Sequence, residues 1–130
     1  MATVTATLTL VSTDATTDEL SLTASSSLTI GPPQIGISKT AVAASGGTAT
    51  VLVPSGSNNQ YVYIKHTGKQ SDGSTATTNQ LAIELGTNTD LLRLGAGEFC
   101  FFPSKSDELV EVLSSSSQTI LIEYAYWTAA

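Results

Sequence analysis

Two side chains of this sequence, His66 and Cys100, could take part in acid–base or nucleophilic chemistry. His66 is the only histidine, so any proton relay through an imidazole would have to include it. The serines occur in no G-x-S-x-G motif, the usual setting of a hydrolase nucleophile. Cys100 lies in the apolar segment 99–102, without a basic neighbour that would lower its pKa. We therefore predict structural roles for both: a partly buried or rim histidine, and a packed thiol on a strand covered on both faces.

Six of the eight carboxylates in the second half of the chain raise the possibility of a paired acid and base, as in glycosidases. Nothing in their spacing singles out a pair, and several lie on the polar side of alternating segments. No calcium-binding loop of the D-x-D-x-D-G type occurs, and one histidine with one cysteine makes a zinc site of those ligands improbable. We therefore predict that the protein is not an enzyme and has no catalytic, cofactor-binding or metal-binding residues. The six carboxylates are Glu84, Glu98, Asp107, Glu108, Glu111 and Glu123.

The charge of the chain limits its partners. Its 130 residues include 11 acidic and 5 basic side chains, which gives a net charge of -6 and a pI of about 4.4. A protein that binds nucleic acid through phosphates needs a basic surface, so we expect no nucleic-acid partner. No apolar run approaches the roughly 18 residues of a membrane span, and the first residues lack the basic and apolar regions of a signal peptide. We expect an acidic, β-rich protein with no membrane partner and no signal peptide.

Apolar side chains recur at every second position through most of the chain, which indicates β-strands. Residues 3–11 and 20–30 alternate cleanly and predict a hairpin; Gly31-Pro32-Pro33 should end its second strand, because proline donates no ladder hydrogen bond. We divide the chain into an N-terminal β-arm with a proline hinge (1–33) and an antiparallel β-sandwich domain (34–130). Eight further strands separated by turns fit a sandwich of the jelly-roll type. They are predicted over 35–42, 48–53, 60–66, 80–85, 90–94, 98–102, 108–113 and 119–127.

Three connecting segments are less regular. Ser106 or Asp107 could cap a short helix over 106–113, although Val110 and Val112 favour a strand there. The segment 68–79 has no large apolar residue, so we predict a solvated, mobile loop. A turn is predicted at 86–88 from its glycine and asparagine.

Leucines of the arm and aromatic residues of two later strands are candidates for an interface. In regular strands Tyr61 and Tyr63 share a face, as do Tyr124 and Tyr126, and the last strand ends at Trp127. Such residues are enriched at protein interfaces, but they also form sugar-stacking platforms and fill cores, and these interpretations stay open. A lone hairpin is marginally stable, so the leucines must pack on something. The predicted interface residues are Leu8, Leu10, Leu20, Leu22, Tyr61, Tyr63, Tyr124, Tyr126 and Trp127.

The segment 92–98, with the sequence LRLGAGE, leads into an apolar strand and then Pro103. In this pattern the chain resembles small jelly-roll virion proteins of tailed bacteriophages, in which Leu-x-Leu-Gly-x-Gly-Glu precedes an apolar strand and a proline. Their last strands often run to the chain end, as 120–126 nearly does here, and the Thr/Ser-rich opening is also similar. The resemblance covers roughly residues 35–128.

The resemblance implies a non-enzymatic structural protein of a phage particle, without catalytic residues or a cofactor. Our first expectation is a capsid decoration (cement) protein that forms a homotrimer and contacts the major capsid protein or other virion proteins. The alternative is a tail or fibre component, or a receptor- or glycan-binding module. In either case the protein would be made in the host cytoplasm and located in the virion.

Overall fold

The computed structural model describes residues 1–86 and 90–130, without the side chain of Pro33. All helices and strands assigned in these residues are β-strands, nine in number. The all-β class predicted from the period-two pattern is therefore confirmed. The strands are β1 (Ala2–Ser12), β2 (Leu20–Val42), β3 (Thr50–Val53), β4 (Gln60–Lys69), β5 (Leu81–Leu85), β6 (Asp90–Leu94), β7 (Phe99–Ser104), β8 (Val110–Ser114) and β9 (Ile120–Ala129).

The strands form two antiparallel sheets around a common core. Sheet A has the order β1-β2-β9-β4-β7, and sheet B has the order β3-β8-β5-β6. Every second residue of β4 and β8 is buried, because one face of each sheet packs against the other sheet. Both sheets contribute apolar side chains to this core. Its buried members are Val42, Leu52, Val53, Val62, Ile64, Leu81, Ile83, Leu94, Val110, Val112, Ile120 and Ile122.

Strand β2 runs through Gly31-Pro32-Pro33, so the prediction that the prolines end this strand is wrong. Its first part pairs with β1 up to Ile30, and its second part pairs with β9 from Ile30 to Val42. The register with β9 shifts between Gly31 and Gln34, and again between Ile35 and Ser38. Prolines are tolerated at such irregularities, since residues there need not donate to the ladder. We call residues 1–30 the arm; the division of the chain at residue 33 stays a prediction.

The segment 106–113 is a turn followed by strand β8, as the two valines favoured. Val110 and Val112 are fully buried, and both point into the core as only alternate residues of a strand can. Asp107 has a φ of 67°, in the left-handed region that aspartate tolerates, and its N–H donates to the carbonyl of Gly56 at 2.7 Å. The turn predicted at 86–88 lies largely outside the described residues.

The loop 68–79 is tied to the sheets, in contrast to the free excursion predicted from its composition. The N–H of Gln70 donates to the carbonyl of Thr75 at 2.8 Å, and the N–H of Ser71 donates to the hydroxyl of Thr119 at 3.1 Å. Thr77 is buried, and its hydroxyl donates to the side-chain oxygen of Gln118 at 2.8 Å. Short polar side chains hold this loop by hydrogen bonds, a mechanism that apolar periodicity does not report.

Asp72 organises the turn of this loop, and we predict that it stays ionised to unusually low pH. Its carboxylate accepts hydrogen bonds from the Thr75 hydroxyl and from the N–H groups of Ser74 and Thr75, both at 2.9 Å. These bonds, the Thr75 hydroxyl first, lower the pKa of Asp72 from 3.8 to about 2. The stabilising effect of the carboxylate is therefore complete above the unfolded pKa and is lost as pH falls through about 2.

An NMR titration of the Asp72 carboxyl carbon and the Ser74 amide measures this pKa directly. Thr75→Val should raise the pKa of Asp72 toward 3.8, because it removes the first of these bonds. A wild-type midpoint near 3.8 would contradict the prediction.

Candidate functional site

Strand register assigns each aromatic side chain of sheet A to one of its two faces. Directly opposed residues of antiparallel strands point to the same face. Tyr124 lies opposite Ile64, which is fully buried, so Tyr124 points toward the core. Tyr61 lies opposite Trp127, and these two side chains, together with Tyr63, point away from the core. We call this second side of sheet A the outer face.

The two predicted tyrosine pairs therefore lie on opposite faces of the sheet. Tyr126 lies opposite the buried Val62, and both Tyr124 and Tyr126 pack against the core from its margin. Tyr61 and Tyr63 are half-buried on the outer face. The structure does not bring the two pairs together, so one continuous surface cannot contain all four rings.

Strand β7 adds two exposed phenylalanines to the outer face. It is the edge strand of sheet A, and its Phe101 lies opposite Tyr63. Phe99 is 62% exposed and Phe101 is 40% exposed. The ring of Phe101 stacks on that of Tyr61, with centroids 6.4 Å apart and planes 12° from parallel. We expected this segment to be covered on both faces, but in the single chain only the face that carries Cys100 packs against the core.

The arm carries an apolar face that continues the outer face of sheet A. Ile30 lies opposite Ala129, two residues beyond Trp127, so the even-numbered residues of β2 up to Ile30 share the outer face. The pairing of β1 with β2 places Leu10 opposite Leu22, which adds the even-numbered residues of β1 to the same face. The apolar residues of this face are Ala2, Val4, Ala6, Leu8, Leu10, Leu20, Leu22, Ala24, Leu28 and Ile30.

The opposite face of the arm is covered almost entirely by threonine and serine. Paired hydroxyl residues follow one another along the hairpin, and the side-chain oxygens of Thr7 and Ser25 are hydrogen-bonded at 3.0 Å. Neither strand of the arm contains a charged residue; three carboxylates lie in the segment 13–19 that joins them. The strands of the hairpin are therefore amphipathic but carry no charged side chain. A contact on either face of these strands would remove no charge from water.

The arm and the outer face together line an open groove of about 730 Å³. The arm contributes residues of both of its strands, and the body of the sheet contributes residues of β4, β7 and β9. The lining is mostly apolar, and Leu10 and Leu22 extend the exposed apolar surface along the arm beyond it. We refer to this feature as the groove. Its lining includes Val4, Ala6, Leu8, Ala24, Ile37, Tyr63, Phe99, Phe101 and Trp127.

A row of charged side chains crosses the outer face beside the groove. Lys65 lies opposite Phe99 on one side and Glu123 on the other, and Lys39 also lies opposite Glu123. The hydroxyl of Tyr63 donates to Oε1 of Glu123 at 3.1 Å. Burial, followed by this bond and the charge of Glu123, raises the pKa of Tyr63. Among the described residues, neither lysine has a carboxylate within 4.0 Å.

The structure gathers part of the predicted interface around the groove. Leu8, Tyr63 and Trp127 line it, Leu10 and Leu22 continue its apolar surface, and the remaining candidates lie elsewhere. Sequence reasoning missed the three other large, exposed apolar residues of the lining, one of them in the bulged part of β2. The sequence of β7 does contain a usable signal. If Cys100 faces the core, the alternation of a strand places Phe99 and Phe101 on the opposite face. The missed residues are Ile37, Phe99 and Phe101.

His66 is fully buried in the core, deeper than the partly buried or rim position predicted for it. Its Nδ1 accepts a hydrogen bond from the N–H of Gly68 at 2.9 Å, so Nε2 carries the ring proton. Nε2 in turn donates to the carbonyl of Asn79, also at 2.9 Å. Both ring nitrogens are therefore occupied by backbone groups, and the neutral imidazole links the two ends of the loop 68–79.

Cys100 faces the core from β7, and we predict that its thiol is slow to react in the native protein. Burial raises its pKa from 9.0 to about 11, although a backbone hydrogen bond at Ile64 acts in the opposite direction. At neutral pH the native thiolate is thus about 100-fold scarcer than in an unfolded chain, and the thiolate is the reactive species. The rate of modification by an aromatic disulfide should rise at least that much in denaturant.

A matched control is a cysteine placed at the exposed Thr9 in a Cys100→Ser background. Its thiol should react at similar rates in buffer and in denaturant. Equal rates for Cys100 in the two solvents would contradict the prediction.

The carboxylates do not converge on the groove. Glu84 lies opposite Glu111 on sheet B, and the side chain of Glu98 accepts a hydrogen bond from the N–H of Gly95 at 2.6 Å, which closes a turn. Within residues 1–86 and 90–130, no group of three or more histidine, cysteine, aspartate or glutamate side chains could hold a metal ion. The same residues contain no helix long and apolar enough to cross a membrane.

Comparison of the chain with protein-family models gives no match, and comparison with curated proteins gives none either. The function therefore has to be argued from the groove, the arm and the resemblance noted in the sequence. Of these, the groove is an apolar surface that the fold of a single chain leaves uncovered.

Proposed function

We propose that this protein is a non-enzymatic structural protein of a tailed-bacteriophage particle, and that it acts as a capsid decoration (cement) protein. The observation that carries this proposal is the open apolar groove between the arm and the outer face. Apolar patches of several hundred Å² on a small protein mark surfaces that contact other proteins. The resemblance to phage virion proteins supplies the kind of particle on which this contact is made.

The proposed fold is an eight-strand jelly roll, β2 to β9, with β1 added at one edge. The pairing pattern supports this topology because it is nested. Strand β2 pairs with β9, β3 with β8, β4 with β7, and β5 with β6. This order arises when a chain of eight strands folds back on itself at its middle, so that the first strand pairs with the last. The resulting long ribbon then rolls up, which divides its strands between two sheets. Jelly rolls are common in virus particles, which agrees with the proposed function.

In the proposed mechanism, copies of the protein bind across neighbouring units of the capsid shell as a homotrimer. Each copy adds apolar and hydrogen-bonded contact area, so more free energy is needed to separate those units. Because several copies bind at once, contacts that are individually weak give a high overall avidity. The two strands of the arm suit this task because they carry no charged side chain, so their burial removes no charge from water.

A second candidate is a tail or fibre component that binds a receptor or a glycan. The observation that favours it is the row of rings on the outer face, where Tyr61 stacks on Phe101 and lies opposite Trp127. Flat arrays of this kind can stack against sugar rings. This function would need few copies per particle, all at the tail, and measurable binding to glycans.

Quantitative mass spectrometry and electron microscopy of purified particles test the first candidate against the second. For a decoration protein we expect many copies, spread over the capsid surface. Particles depleted of the chain should release DNA at a lower temperature, and adding the purified chain should restore the release temperature. A few copies confined to the tail, with binding on a glycan array, would favour the second candidate. Particles that lack the chain altogether would overturn both.

A further inference from the structure

The geometry points to an occupant for the groove: the arm of a second copy of this chain. This inference deepens the proposed function, on which it rests for the expectation that copies meet on a particle. The incoming hairpin places its apolar face against the exposed rings of β7, and its acidic turn reaches the lysines beside them.

The exposed apolar area supplies about half of what a stable contact between copies needs. Leu8, Leu10 and Leu22 of the arm are each 44–47% exposed, and Phe99 is 62% exposed. With Phe101 and Ile37 these side chains present on the order of 600 Å² to solvent. Specific interfaces bury at least about 1,000 Å² over both partners, so one contact must also bury hydroxyl-bearing side chains of the arm.

The shape of this surface favours a hairpin over a compact ligand. Exposed leucines follow the arm well past the groove, and each eleven-residue strand of the hairpin spans about 35 Å. A small molecule would fill only the 730 Å³ of the groove and would leave those leucines in water. The arm of another copy offers an apolar stripe of matching length, and its threonine and serine face can be buried without a charge penalty.

The acidic turn of the arm and the lysines of the outer face carry complementary charges. The turn of the arm contains Asp14, Asp18 and Glu19, all exposed. On the outer face Lys39 and Lys65 flank a single carboxylate, Glu123, and are exposed without ion pairs among the described residues. An incoming turn would supply the carboxylates that these lysines lack, which sets the direction in which the hairpin lies.

In a trimer each arm passes to the next copy around the ring and is not exchanged within a pair, so the contact is heterologous. Such contacts close into rings when the rotation between copies permits, and they grow into filaments when it does not. The homotrimer of the proposed function is one such ring. In that ring each copy places its arm in the groove of the next copy, so every groove is filled.

Sedimentation of the purified full-length chain, in the absence of particles, is the first test. The wild type should form a closed oligomer at micromolar concentration. Leu8→Glu on the arm and Phe99→Glu on β7 should each raise the dissociation constant at least about 100-fold, because each buries an unpaired charge. Thr9→Glu, on the other face of the arm and outside the lining of the groove, and Leu91→Glu, an equally exposed apolar site on sheet B, should change it less than about threefold. Thermal melts of each variant separate lost assembly from lost folding.

Cross-linking between two chains decides whose arm fills the groove. One chain carries Leu8→Cys, the other carries Phe99→Cys, both in a Cys100→Ser background, and each has its own tag. After mixing and oxidation we expect a disulfide-linked heterodimer. If the two singly substituted chains form no heterodimer after mixing, while a chain that carries both cysteines links internally, the arm closes only on its own groove and the inference is wrong.

Charge exchange tests the direction of the hairpin. Lys39→Glu with Lys65→Glu should weaken the affinity between copies. Adding Asp14→Lys and Asp18→Lys should restore most of the lost affinity. A monomeric wild type, or an oligomer insensitive to both Leu8→Glu and Phe99→Glu, would overturn the inference. These results are independent of particle binding: assembly through the arm by a chain absent from capsids would contradict only the proposed function.

Discussion

Replacing His66 with alanine should lower the free energy of unfolding by about 3 kcal/mol, a large part of the stability of a domain of this size. The loss has two sources. The first is the cavity left by a fully buried ring. The second is the loss of partners for two backbone groups, the N–H of Gly68 and the carbonyl of Asn79, which each bond a ring nitrogen at 2.9 Å.

Urea unfolding of three variants separates the cost of the cavity from the cost of the unpaired backbone groups. His66→Phe fills most of the volume but leaves both backbone groups unpaired, so it should lose about 2 kcal/mol. Lys65→Ala, at the exposed neighbouring position, should change the free energy of unfolding by less than about 0.5 kcal/mol. Amide exchange of Gly68 should also accelerate in both His66 variants. A stability of His66→Ala within about 0.5 kcal/mol of wild type would show that the imidazole does not hold the loop.

Deleting residues 1–30 should abolish assembly while leaving a folded core. None of the buried residues of the core cluster belongs to the arm, and the remaining part of β2 keeps its pairing with β9 up to Val42. The deletion also removes Ile30, which is only 4% exposed. Burial of such a side chain contributes about 2 kcal/mol to the free energy of unfolding, and this is the chief loss for the rest of the protein. The dissociation constant of the oligomer should rise at least about 100-fold, because the inserting element is gone.

Calorimetry and sedimentation of the truncated chain measure the two effects separately. We expect one cooperative melt, a β-rich circular dichroism spectrum and a monomer at concentrations where the full chain is assembled. Binding to depleted particles should weaken in parallel. A truncated chain that does not fold would show that the arm belongs to the core, and one that assembles like the full chain would show that the arm does not mediate assembly.

The positions of the strands could be predicted from the sequence, because a period of two is a local property of each segment. The alternation of Thr3 to Val11 and that of Tyr61 to His66 each reappear as strands with the expected faces. The inward position of Cys100 was likewise predictable, because free cysteine is usually buried. In each case burial of one side of a short segment is enough to specify the result.

Register and burial across distant segments were decided only by the tertiary structure. Tyr63 and Tyr124 belong to strands that alternate equally well, and their assignment to opposite faces depends on which residues of β4 and β9 pair. Two prolines could remain inside β2 because the pairing with β9 shifts there, an event that depends on both strands. The groove likewise needs Leu8 and Phe99 to line the same space, although 90 residues separate them in the chain. Local patterns determine which face of a strand is apolar, but only the packing of the whole chain determines which apolar faces remain uncovered.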